Sequence, residues 1–147
     1  MSKLFILRGP SGSGKSTIAS YLAGQHDCDV CEADNFFYSK RSYKFDAAML
    51  PQAHTWCRLE TEKALFLGED IVVANTNMPL RDLQPYLDLG NKYGAIIEVI
   101  RTPGPWDIST LFKRNVHEVP SDILERQIAR YQTYASETEW TEMSIFS

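Results

Sequence analysis

Apolar residues along the chain fall in short unbroken runs, separated by longer stretches in which they recur every three or four positions. KLFILR at 3–8 stops at Gly9-Pro10 and predicts a strand buried on both faces. From Lys15 the period turns helical through Ile18, Tyr21 and Leu22, fading near Gly24. CDVCEA at 28–33 predicts a second strand ending at Asp34, whereas NFFYSKRSYKF at 35–45 is aromatic and basic without a period and predicts a functional loop. Asp46 suits the cap of a helical turn, and Pro51 the first position of a long helix reaching about Leu67, with Gly68 as its stop. DIVVAN at 70–75 is a third strand, Pro79 opens a helix with a kink expected at Pro85, and AIIEVI at 95–100 is a fourth strand. Beyond Pro103 and Pro105 two helices are expected, 107–116 and 121–135, the second capped by Ser121. Residues 136–147 carry no pattern.

Strands and helices therefore alternate, which calls for an α/β fold: a three-layer α/β/α domain with four or five parallel strands and a helical lid at about 111–131. A chain of 147 residues fits one domain, 1–147, and is too short for two. The 44% hydrophobic and 23% charged residues suit a globular protein, and the net charge of -4 excludes coating by nucleic acid through bulk charge, so a polyanion must meet a local basic patch. No apolar run approaches a membrane span, and Met1-Ser2-Lys3 leads into a strand without signal-peptide zones; a cytoplasmic address with no membrane partner is expected. Cys28, Cys31 and Cys57 are an odd number, as expected of free thiols in a reducing compartment. Cys28, Cys31, His54 and Cys57 can be written as a zinc site, but one CxxC without a second pair is weak. Thiols flanking a buried strand and filling a helix seam are the better reading.

Candidate chemistry is concentrated in Gly9, Pro10, Ser11, Gly12, Ser13, Gly14, Lys15, Ser16 and Thr17, which contain GxxxxGK[ST] between a buried strand and a helix. Such a loop wraps successive N–H groups around a phosphate at the positive end of a helix dipole. Lys15 would bridge the β- and γ-phosphates of ATP, and the Ser16 hydroxyl would ligate Mg²⁺. The alternative is a Gly/Ser-rich turn that merely caps the helix. A GTPase would want an Asn-Lys-x-Asp, and Asn91-Lys92-Tyr93-Gly94 lacks the carboxylate; a hydrolytic ATPase usually ends strand three with an acid, and Val72 to Asn77 holds none. Asp34 is the nearest acid that this topology could place opposite the γ-phosphate, where it could accept the proton of an attacking hydroxyl. It also suits a turn cap, and Asn75 and Asn77 suit either turn formation or positioning. Arg114, Arg126 and Arg130 stand in the lid segment; Arg114 is the candidate for the phosphates, while Arg126 and Arg130 read as surface pairs.

With these motifs in this order, the chain resembles the polynucleotide 5′-hydroxyl kinases over residues 3 to about 131. The likeness lies in Gly9 to Thr17, EADNFFY at 32–38, YKFDAAML at 43–50, NTN at 75–77, and KRN, VP and RY within 113–131. The resemblance implies that Lys15 and Ser16 bind ATP and Mg²⁺, that Asp34 is general base on a 5′-hydroxyl, and that Arg114 reaches the phosphates from the lid. Some phage members place an arginine shortly after the aspartate, where this chain has Phe36, Phe37 and Tyr38. Stacking of a terminal base on Phe37 and Tyr38, with phosphate contacts from Lys40, Arg41 and Lys44, is expected in its place, the basic cluster reading equally as a solvated surface loop, and Asn75 and Asn77 join the acceptor candidates. The expected partner is a DNA or RNA 5′ end. Kinases of nucleosides, nucleotides, modified-base DNA or other small molecules are the alternative, and a non-catalytic ATP-binding switch is a third.

Overall fold

The computed structural model describes residues 1–39, 42–114 and 119–141. Strand β1, Lys3–Arg8, alternates its side chains between two cores. Helix α1 is Lys15–His26, strand β2 is Asp29–Cys31, and a single 3₁₀ turn follows at Ala33–Phe37. A two-residue ribbon pairs β3, Tyr38–Ser39, with β4, Ser42–Tyr43. Helix α2 is Leu50–Phe66, β5 is Ile71–Val73, α3 is Leu80–Lys92 and β6 is Ile96–Arg101. Then come α4, Ile108–Arg114, α5, Ser121–Ala129, and β7, Thr138–Glu139. The main sheet is five-stranded in the order β2-β5-β1-β6-β7, and every pairing in it is parallel.

The alternation of β1 accounts for the layers. Leu4 and Ile6 face a core completed by Ile71, Val73 and Val99 together with Ala53, Cys57 and Leu65 of α2 and Leu83, Tyr86 and Leu87 of α3. Phe5 and Leu7 face the opposite side, where Ile18, Ala19 and Leu22 of α1 cover the sheet with Val72, Ala74 and Ile100. Burying apolar side chains on both faces of a parallel sheet is what the unbroken apolar runs require.

Several boundaries differ from expectation for local reasons. Strand β2 stops at Cys31 because the chain winds into the 3₁₀ turn, and the Ala33 N–H leaves the ladder for the Asn75 side-chain oxygen at 2.7 Å. Ser121 is the first residue of α5 and not its cap; Pro120 holds the cap position in extended backbone, and the helix ends at Ala129. The fifth strand lies in the patternless tail, held by the Trp140 N–H on the Arg101 carbonyl at 2.9 Å and by the Tyr21–Trp140 ring contact. Asp46 does cap its turn, accepting from the Ala48 N–H at 3.0 Å, and Pro51 opens α2 as expected.

Candidate active site

The loop at 9–14, Asp34, and Asn75 with Asn77 follow the carboxyl ends of β1, β2 and β5, the edge at which open α/β sheets bind ligands. The loop from Gly9 to Gly14 is tied down by the Gly9 N–H on the Thr76 carbonyl at 3.1 Å and the Ser13 N–H on the Pro10 carbonyl at 3.2 Å. Gly9 is needed for close approach: a Cβ there would lie 2.3 Å from Thr102 Oγ1 and 2.5 Å from Ser13 Oγ. Gly14, at φ 102°, begins α1 in the left-handed region with no side chain capping the helix start. Ser13 Oγ is buried without a hydrogen-bond partner among the described residues. Uncapped helix donors and an orphaned hydroxyl suit a phosphate group. Ser16 and Thr17 follow, both exposed. A hydroxyl at Ser16 beside phosphate oxygens is the donor chemistry that Mg²⁺ takes, so the residues fit an ATP·Mg²⁺ complex.

Lys15 Nζ donates to the Gly9 carbonyl at 2.8 Å and the Pro10 carbonyl at 3.1 Å, folding over the loop. Burial pushes its pKa down to about 8, opposed by the negative charges of Glu32 and Asp34. A triphosphate favours the ammonium form, so affinity should fall as pH rises through about 8, and binding above that pH should take up a proton. Calorimetry of ATP binding in two buffers of different ionisation enthalpy should show this uptake near pH 8.5 and little of it by about pH 6.5. Lys15→Arg, which stays charged, should abolish the uptake. Equal heats in the two buffers at the higher pH would contradict the Lys15 assignment.

Asp34 sits in the first turn of the 3₁₀ segment, partly exposed, directly after β2. Its charge favours the protonated form of both Lys15 and His54 of α2. The turn is held by Asn75, which is buried: its Oδ1 accepts from Ala33 and its Nδ2 donates to the Tyr86 hydroxyl at 3.2 Å. Asn77, also buried, donates from Nδ2 to the Leu7 carbonyl at 3.0 Å at φ 49°, and its own carbonyl accepts from Arg8 Nε at 2.7 Å. Both amides are thus engaged inside the protein. Phe37 is buried in the core against Phe45 and Phe36, whereas Tyr38 is 51% exposed. Lys40, Arg41 and residues 115–118 of the expected lid lie outside the described residues. Arg114 ends α4 with its side chain exposed.

A cavity of about 320 Å³ is lined by His54 and Arg58 of α2, Thr76 and Asn77, Arg81, Asp82, Pro85 and Tyr86 of α3, and Ile123, Arg126, Gln127 and Arg130 from α5 and its end. Four arginines face one lining carboxylate. Arg81 lies 4.0 Å from Asp82, Arg126 lies 3.7 Å from Asp122, and Arg58 donates to Thr55 Oγ1 at 3.1 Å. Desolvation lowers the His54 pKa, with Arg58 acting in the same direction and Asp82 and Asp34 against it. Gln127 joins the cavity to the phosphate loop: its Oε1 accepts from the Ser11 N–H at 2.9 Å and its Nε2 donates to Ser11 Oγ at 3.2 Å. Arg126 pairs with Asp122 at i,i+4 on the surface, yet it and Arg130 also line the cavity. His54, Arg58, Arg81 and Gln127 were not among the expected site residues. The one available signal was the i,i+4 spacing of His54 with Arg58 and of Arg126 with Arg130.

Comparison with known proteins places this geometry in context. A family described as an AAA domain matches residues 4–138. Similar solved structures include a sugar kinase from a Janibacter species in unliganded form, with TM-score 0.68 and 18% identity over 95% of this chain and 85% of that one. A chain of the Pnkp1/Rnl/Hen1 RNA repair complex aligns with TM-score 0.70 and 22% identity, over 88% of this chain but 43% of that one, so the present chain spans less than half its length. APS kinase CysC from Mycobacterium tuberculosis, in complex with AMPPNP and APS, aligns with TM-score 0.68 and 14% identity over 98% and 91% of the two chains. At these identities the likeness is one of fold.

Proposed function

The chain belongs to the AAA domain family matched over residues 4–138, and from that premise we propose that it is an ATP-dependent kinase that transfers the γ-phosphate to a hydroxyl, with the 5′-hydroxyl end of a polynucleotide as acceptor. The observation that carries the reading is the position of Asp34, in the 3₁₀ turn directly after β2, at the sheet edge where the loop at 9–14 also begins. A carboxylate so placed can take the proton from an acceptor hydroxyl as its oxygen bonds to phosphorus and the bond to ADP breaks.

In this reading the loop N–H groups and Lys15 hold the phosphates. Mg²⁺, held by Ser16 and phosphate oxygens, would neutralise charge on the transferred group. Arg114 is the lid residue assigned to the phosphates, and Arg126 and Arg130 supply positive charge to the cavity. Their surplus favours an acceptor that carries its own anion near the hydroxyl, as the phosphodiester beside a 5′ end does. Tyr38 offers a ring for the terminal base. The RNA repair complex among the similar structures supports a nucleic-acid acceptor.

A second reading, a kinase of a nucleotide or another anionic small molecule, is favoured by the cavity volume of about 320 Å³, near the lower end for small-molecule sites. The sugar kinase and the APS kinase among the similar structures are consistent with it. Incubation with γ-labelled ATP and 5′-hydroxyl DNA, 5′-hydroxyl RNA, base-modified DNA, nucleosides and nucleotides separates the two. Label on oligonucleotides, with binding that weakens steeply as salt rises, is expected. Label on small molecules alone would select the second reading, and label on no acceptor would contradict both. Arg130→Ala should raise the acceptor KM by roughly tenfold or more and leave the KM for ATP nearly unchanged. An unchanged acceptor KM would remove Arg130 from the acceptor site.

A further inference from the structure

Two buried thiols lie directly behind the Asp34 turn and take no part in the chemistry described above. Cys31 ends β2, Cys57 lies in the middle of α2, and their sulfurs are 2.9 Å apart. Cys31 Sγ is also 3.3 Å from the Cys57 carbonyl, and Asn75 Nδ2 reaches Cys57 Sγ at 3.5 Å. That same Asn75 holds the Ala33 N–H one residue before Asp34. Cys31 is not sealed off: it lines a cleft of about 520 Å³ along the sheet edge with Asp29, Trp56, Ala64 and Ile71, a path for a small oxidant. The Cys57 contact and burial push the Cys31 thiol up, while hydrogen bonds from Cys31, Tyr86 and Asn75 hold Cys57 down against its own burial, so the two sulfurs share one proton-poor contact. Cys28, outside the pair, is pushed up to about 11, first by burial and then by the charges of Asp70, Asp29 and Asp27.

We propose that Cys31 and Cys57 are a redox modification site, forming a reversible disulfide that displaces the Asp34 turn and slows phosphoryl transfer. The effect on transfer rests on the kinase reading above; the bond itself does not. With hydrogen peroxide as oxidant, the Cys31 sulfur, which lines the cleft, loses its proton and attacks one peroxide oxygen, the O–O bond breaks, and the leaving hydroxide takes that proton to become water. The second thiol then attacks the sulfenic sulfur, and a second water leaves. Two thiols lose two electrons in all, and peroxide gains them. Closing the bond brings the sulfurs from 2.9 Å to roughly 2.0 Å, drawing α2 toward the end of β2. It also moves the Cys57 sulfur that Asn75 contacts and makes it a weaker acceptor, loosening the brace on Ala33. A displacement near 1 Å at a reacting group costs on the order of a hundredfold in rate, so a loss of at least about tenfold in transfer is expected here.

The test treats the full chain with dilute hydrogen peroxide and maps its peptides without reduction. A Cys31–Cys57 linked peptide is expected, with Cys28 still open to alkylation. Amide exchange at Ala33 should become faster in the oxidised protein, transfer should fall by at least about tenfold, and a thiol reductant should restore both. Cys31→Ala and Cys31→Ser should keep their activity and lose its sensitivity to peroxide. The linked peptide and the exchange rate need no acceptor, so they are read even if no transfer is found. No linked peptide, or Cys28 oxidised as readily as the pair, overturns the site; a linked peptide with unchanged Ala33 exchange and unchanged transfer overturns the coupling to Asp34.

Discussion

Asp34→Asn is expected to bind ATP as the parent does and to transfer phosphate about a hundred to ten thousand times more slowly. The amide keeps the volume of the carboxylate and the 3₁₀ turn that carries it, and the Asn75 brace on Ala33 does not involve the Asp34 side chain. What is lost is a group able to hold a proton from the acceptor hydroxyl. Asp34 also helps keep Lys15 protonated, as does Glu32, so the substitution should lower the Lys15 pKa further, while the loss of a negative charge facing the phosphates works the other way. These effects oppose one another in ATP affinity, which is why binding should change little while the rate falls. Single-turnover transfer and equilibrium ATP binding, measured on the same preparation, separate the two. A fall in ATP affinity that accounts for the whole loss would make Asp34 a nucleotide contact and not a base.

The second large effect lies in the framework. Arg8→Ala should cost about 3 to 5 kcal/mol of stability, because it leaves a buried carboxylate without its counter-charge. Arg8 ends β1, one residue before the phosphate loop, and is fully buried. Its guanidinium donates to the carbonyls of Asn77 at 2.7 Å, Met78 at 2.6 Å and Gln132 at 2.8 Å, and to Glu137 Oε1 at 2.5 Å. Its Cζ lies 4.9 Å from the centre of the Tyr131 ring, whose hydroxyl also bonds Glu137. The tail that forms β7 is thereby fastened to the strand that leads into the site. At about 2 to 4 °C per kcal/mol for a domain of this size, the midpoint of thermal unfolding should drop by roughly 10 °C. Removing the charge at the other end as well, in Arg8→Met with Glu137→Gln, should recover part of the loss, since no unpaired ion then stays buried. A midpoint that hardly moves in Arg8→Ala would mean that water reaches Glu137 and that the tail is held by other contacts.

Legibility in the sequence followed the range of the interactions. β1 reads at its true bounds because its alternation between two cores is written in consecutive residues, and α2 shows at both ends because Pro51 and Gly68 act locally. β7 was invisible: it is two exposed residues long, and what holds it is distant in sequence, its pairing with β6, the Trp140 N–H on Arg101 and, at the residue before it, Arg8 on Glu137. The phosphate loop is legible because a backbone that must wrap an anion needs glycine at fixed places. The arginine-lined cavity is not, because Arg58, Arg81 and Arg126 sit on three different helices and each reads alone as a solvated surface charge. Asn75 shows the same limit: from the sequence it is a residue at a strand end, and only the fold reveals that it ties the Asp34 turn to Tyr86.

The central claim is that the Asp34 carboxylate faces the terminal phosphoryl group across a gap that admits an alcohol. A crystal structure of the protein with ADP, aluminium fluoride, Mg²⁺ and a short 5′-hydroxyl oligonucleotide measures this directly. The acceptor oxygen is expected in line with the fluoride group and the leaving oxygen of ADP, with an Asp34 carboxylate oxygen about 2.6 to 3.2 Å from it. An Asp34 side chain turned into the protein, with water alone opposite the fluoride, would contradict it and leave nucleotide binding as the activity of this site.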